Sequence, residues 1–196
     1  MMKRVGLALV VATLTSAGMT TILLAGDSTP PWVDELNRLS RFIGQSASPD
    51  QVGPVDDTRF ASQPEVRALR SALLYRADPS KYGASFEANF AINDYASRAA
   101  GKPTDISQQD FVARIKDVES SYPGLSPQLV MLVSYVRNRE ANLWFVRGEQ
   151  HVSVARFLRG AFLAQVFKGS ALDPVTVANG LDQRTREKYE KSNKQP

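Results

Sequence analysis

From Lys3-Arg4 the chain enters a run without a single charge over residues 5–26, closed by Asp27. An α-helix rises about 1.5 Å per residue, so a bilayer core of roughly 30 Å takes about 20 apolar residues, and this run is long enough. The cationic flank predicts a cytoplasmic N-terminus, with the rest of the chain beyond the inner membrane. The run reads as an uncleaved signal-anchor. The alternative is a cleaved secretory signal, with its apolar part over residues 5–14 and small residues at Thr15-Ser16-Ala17; the protein is then secreted. Asp27 stands where a lipoprotein carries its lipidated Cys, which excludes lipidation. Ala8, Ala12, Ser16 and Thr20 recur every fourth residue. Small residues at that spacing let two membrane helices approach closely, and they predict a partner helix or a homo-oligomer.

Beyond the run the pattern is helical. Trp32, Leu36, Leu39 and Ile43 share one face, ending at Gly44, and residues 45–59 read as a polar loop carrying Pro49, Gly53 and Pro54. Five starts follow: Ser62 or Gln63 before Pro64, Asp78-Pro79, Ser107 with Asp110, Ser126-Pro127 and Asp173-Pro174. An N-cap oxygen accepts an orphan amide proton, and Pro in the first turn gives up no donor that is needed. Ala88, Ala91, Ile92, Tyr95, Ala96 and Ala99 form a small-residue stripe. Phe111, Ile115, Val118 and Tyr122 form the next. Leu129, Leu132, Val133, Val136, Leu143 and Trp144 extend a third. Residues 161–167 are apolar nearly all round and predict the buried central helix, with Gly169 as its cap. No alternating Val or Ile run predicts a sheet.

The expected fold class is all-α: a small helical bundle of about five to six helices after an N-terminal membrane helix. The expected divisions are a signal segment over 1–26, a linker with one amphipathic helix over 27–60, the all-α domain over 61–182, and a charged flexible tail over 183–196.

Composition narrows the chemistry. The 196 residues are 43% hydrophobic, enough for one packed domain. There is no Cys and one His, so disulfides, thiolate sites and a multi-histidine metal centre are excluded. No metal or cofactor is expected. The net charge of +4 is modest and partly sits in Lys3, Arg4 and the C-terminal segment, so no nucleic-acid partner is expected. Membrane lipid, through residues 5–26, is the expected partner, together with a protein or a second copy.

Glu140 falls four residues after Val136 and four before Trp144, on the apolar stripe, where a carboxylate needs a partner or a raised pKa. Arg137, Arg156 and Arg159 are the candidate partners; a general acid in a cleft is the functional alternative. Arg67, Arg70, Arg76 and Lys81 make a basic edge, read as a solvated face or as a docking patch for an acidic partner. Asp94 and Arg98 read as a surface pair. His151 reads as a solvated residue at the start of the penultimate helix.

Glu119-Ser120-Ser121-Tyr122-Pro123-Gly124-Leu125-Ser126-Pro127 resembles the catalytic segment of lytic transglycosylases of the goose-lysozyme-like type. There a helix-closing Glu precedes Ser, an aromatic, Pro and Ser-Pro. The resemblance implies acid-catalysed glycosidic cleavage in peptidoglycan with Glu119 as the acid. It covers nine residues, and the family's Gly-Ala-x-Gly-Leu-Met-Gln stretch is replaced by Gln128-Leu129-Val130-Met131. The leading expectation is therefore non-enzymatic: a structural or adaptor subunit of a cell-envelope assembly. The peptidoglycan-cleaving enzyme and a secreted soluble effector are the alternatives.

Overall fold

The computed structural model describes residues 29–90, 104–139, 143–192 and 194. The expected membrane helix lies outside the described residues, as does the small-residue stripe beyond Ala88. Among those described, no helix is long and apolar enough to cross a membrane.

The molecule is mostly helical, as the periodicity predicts. In chain order the elements are α1 (Pro31–Ser40), α2 (Pro49–Val52), a 3-10 turn (Thr58–Phe60), α3 (Pro64–Ala77), α4 (Pro79–Phe90), β1 (Thr104–Ile106), α5 (Gln108–Ser121), α6 (Pro127–Asn138), β2 (Leu143–Arg147), β3 (Gln150–Ser153), α7 (Val154–Val166) and α8 (Pro174–Ser192). The start signals at Asp78, Ser107, Ser126 and Asp173 act as their chemistry requires, whereas Gln63 makes no side-chain cap bond on α3. Ser107 and Asp110 close a capping box on α5, and the Ser126 hydroxyl accepts the Leu129 amide on α6. Both arms of the α5 box are made, so Ser107→Ala is expected to cost about 1 kcal/mol, read by thermal melting with α5 otherwise intact.

α3 lies at the centre. Val66, Ala68, Leu69, Ala72, Leu73 and Leu74 are all buried, together with Arg70 and Ser71. Burying one such Leu or Val stabilises by about 1.5–3 kcal/mol before entropy is counted. α3 ends at Ala77, because Asp78, the residue before Pro79, is pushed out of the helical region, and α4 folds back beside it. Tyr75 of α3 stacks on Phe86 of α4 at 4.3 Å, and Phe90 stacks on Tyr135 of α6 and on Phe162 of α7. α7 buries Phe162, Leu163 and Val166 but exposes Ala164. It is thus one-sided, and α3 is the more enclosed helix. The segment expected as a linker adds Leu36, Leu39 and Val52 to the same core.

The expectation of no sheet is overturned. Three strands pair in the order β1-β2-β3. β2 and β3 form an antiparallel hairpin in which Arg147 faces Gln150 across Gly148-Glu149. Gly148 adopts φ +63, the left-handed conformation a two-residue hairpin requires. β1 pairs with β2 in parallel, Thr104 opposite Leu143 and Ile106 opposite Phe145, after a crossover through α5 and α6. The third apolar stripe is therefore not one helix. α6 ends at Asn138, and Leu143 and Trp144 belong to β2. Phe145 points into the protein, stacks on Phe111 of α5 at 5.1 Å and meets the edge of Phe157 of α7.

α8 continues to Ser192 through residues expected as a flexible tail. Thr185 is buried, and Arg184 and Lys188 both bridge to Glu87 of α4, at 2.6 and 2.8 Å.

Candidate functional site

The densest polar construction joins α1 to α3. Glu35 accepts two hydrogen bonds from Arg38, both 2.8 Å, because the two residues stand one helical turn apart. Arg70 reaches the same carboxylate at 2.5 Å and Asp57 at 3.0 Å. Its other terminal nitrogen donates to the Pro54 carbonyl, and its guanidinium lies 5.4 Å from the Phe60 ring. Arg38 adds bonds to the Gln51 and Val52 carbonyls, and Arg59 holds Asp57 at 2.7 Å. One buried arginine thus ties α1, the loop after α2 and the 3-10 turn to α3.

Burial pushes the Glu35 carboxyl up, but the hydrogen bonds and charges of Arg38 and Arg70 outweigh it and hold the group below its ordinary range. Hydrogen bonding from Arg59, and then from Arg70, holds the Asp57 carboxyl well below the usual aspartate range. A carboxyl with a depressed folded pKa gives stability that is present above its unfolded value and is lost as pH falls through the folded one. Stability is therefore expected to decline below about pH 4.3. Glu35→Gln is expected to start less stable and to lose less between pH 5 and 3, measured by urea titration at each pH.

The basic edge expected over Arg67, Arg70, Arg76 and Lys81 is not one surface. Arg70 is 2% exposed and engaged as above. Arg76 donates to the carbonyls of Gln45, Phe42 and, at 3.5 Å, Lys168, so it caps the chain after α1 and after α7. Burial pushes its guanidinium down. Only Arg67, 4.0 Å from the exposed Asp56, and Lys81, over the Tyr82 ring, face solvent. The docking-patch reading loses Arg70 because that charge has two carboxylates within the domain.

Glu119 sits exposed in the last turn of α5. The cleft at that helix end, about 420 Å3, is lined by Ser120, Ser121, Tyr122 and Pro123 with Thr29, Pro30 and Val33, and it contains no carboxylate. Trp32 meets Tyr122 edge-on at 5.0 Å, and Arg137 of α6 lies over the Tyr122 ring at 4.7 Å and hydrogen-bonds its hydroxyl. Glu140 and the pair Asp94–Arg98 lie outside the described residues, as do Ala8, Ala12, Ser16 and Thr20. Arg156 and Arg159, expected as partners of Glu140, both bond Asp182 of α8, at 3.0 and 2.6 Å. Arg159 is 1% exposed and also donates to the Phe90 carbonyl, which the Tyr135 hydroxyl shares.

His151 is a strand residue, not a helix cap. It stands on β3 with Nδ1 3.3 Å from Asp105 of β1, both side chains largely exposed. It lines a cleft of about 500 Å3 with Trp144, Arg156, Phe157 and Gly160. An exposed pair of this kind contributes little.

Among the described residues no group of three or more His, Cys, Asp or Glu side chains is placed to hold a metal ion. The exposed large hydrophobics among them are Val112, Val146 and Val175, one each on α5, β2 and α8. Single exposed valines are ordinary surface. Comparison of the chain with models of known families, with curated proteins and with solved structures finds no match in any of the three.

Proposed function

We propose that the protein is a membrane-tethered helical subunit of a cell-envelope assembly, acting as a structural or adaptor element on the outer side of the inner membrane. The supporting observation is the shortness of the link between the uncharged run and a firmly fastened α1. The uncharged run ends at Gly26, Pro30 and Pro31 follow, and α1 begins at once. α1 is then fixed to the core by Glu35, Arg38, Arg70 and Asp57. A long flexible linker lets a domain wander, whereas only Asp27 and Ser28 separate the uncharged run from Thr29, which keeps the domain close to that run. A domain kept close suits a part that positions partners. The rows at Ala8, Ala12, Ser16 and Thr20 supply the surface for a second membrane helix.

The test is fractionation of the full chain followed by mild-detergent extraction, native electrophoresis and N-terminal sequencing. The expected result is a membrane-bound chain starting at Met1 or Met2, in a defined complex heavier than its own 21.6 kDa. A free chain trimmed near Ala17 is the outcome for a secreted effector and overturns the tether. Peptidoglycan clearance abolished by Glu119→Gln overturns the adaptor reading.

A further inference from the structure

We propose that the face of the domain around Thr29, built from Pro30, Trp32, Tyr122 and Pro123, rests in the headgroup layer of the bilayer. This deepens the tethered reading and rests on it. Only Asp27 and Ser28 separate the end of the uncharged run from Thr29. Three extended residues reach at most roughly 11 Å. The polar layer on each side of a hydrocarbon core is about 5–8 Å deep. If residues 5–26 span that core, whatever surrounds Thr29 lies in or against the headgroups.

What surrounds Thr29 suits that place. The fold brings Tyr122 and Pro123, from the end of α5, into the cleft that Thr29 and Pro30 line. Trp32 packs edge-on against the same tyrosine. Trp and Tyr carry an apolar ring with a polar handle and concentrate at membrane–water interfaces. Both rings are partly exposed here, and Pro123 is exposed. The charges beside them are mixed: exposed Asp34 and Glu119 adjoin cleft residues in sequence, and exposed Arg137 covers the Tyr122 ring. No net positive field is assembled, so the contact is aromatic, and zwitterionic lipid suffices.

The chain has two tryptophans, Trp32 and Trp144, so Trp144→Phe leaves Trp32 as the sole reporter. The full-length variant is reconstituted in phosphatidylcholine vesicles carrying a spin label either on the headgroup or deep on the acyl chain. The expected result is co-flotation with the vesicles and Trp32 quenching about twofold stronger from the headgroup label. Co-flotation with no quenching of Trp32 by the headgroup label overturns this proposal and leaves the tether standing. Failure to co-float overturns both. Should Trp144→Phe fail to fold, Pro123→Cys in the cysteine-free wild-type chain, labelled with an environment-sensitive fluorophore, gives the same reading: a blue shift on vesicles is expected, and an unshifted spectrum overturns the proposal.

Discussion

Arg70→Ala is expected to destabilise the protein by about 3–5 kcal/mol, the usual loss when one member of a buried ion pair is removed. The substitution leaves Glu35 and Asp57, side chains 11% and 9% exposed, without their shared cation, and frees the Pro54 carbonyl. Arg38 and Arg59 still bond the two acids, so the lower half of that range is the expected place. Arg70→Lys keeps the charge but loses the planar fork that meets two carboxylates and a carbonyl together, and falls between Ala and wild type. Urea titration of the full chain in mild detergent measures the loss. Limited proteolysis should cut between α1 and α3 sooner in Arg70→Ala than in wild type, because this arginine joins Glu35 of α1, the Pro54 carbonyl and Asp57 to α3. A melting curve unchanged from wild type would show that the guanidinium is held without effect.

Arg159→Ala is the second large effect, again about 3–5 kcal/mol. Its guanidinium joins three helices: it starts from α7, meets Asp182 of α8 at 2.6 Å and bonds the Phe90 carbonyl at the end of α4 at 3.2 Å. Removing it takes the buried cation from Asp182; Arg156, which is half exposed, is a weaker partner. The loss should be cooperative, so far-UV ellipticity and tryptophan fluorescence are expected to fall together at lower urea. Loss of the α8 signal alone, with the core transition unmoved, would reduce Arg159 to a fastening for the last helix.

The contrast between these two arginines and their sequence reading shows where local pattern stops being informative. The caps at Ser107 and Ser126 are legible because a capping hydroxyl acts within three residues. Arg70 spaces with Arg67 as an exposed edge, and charged residues default to solvent. Its burial depends on Glu35, 35 residues away, and no local signal carries that. The same limit hides α8. Mixed charges after Asp182 read as a solvated tail, yet Glu87, 101 residues before Lys188, fixes them. Glu119 was singled out by a nine-residue resemblance, and the fold gives it open solvent at the end of α5.

The hairpin was legible and was obscured by a competing period. Trp144, Phe145 and Val146 are strand formers, Gly148-Glu149 is a turn, and Val152 resumes the alternation. Leu143 and Trp144 also continue the spacing of Leu132 and Val136, so the helical period runs unbroken through the whole stretch. β1 had no signal of its own: Thr104, Asp105 and Ile106 form a strand only because β2 lies beside them.

That asymmetry orders the assembly of the sheet in time. β2 and β3 close over two residues, a local event that needs nothing else in place. β1 meets β2 only after the intervening chain has been laid down as α5 and α6. The entropy of closing so long a loop is lost before the parallel pairing returns anything. β1 is therefore expected to join last during refolding and to leave first, and its three amides should exchange with solvent ahead of those in the hairpin.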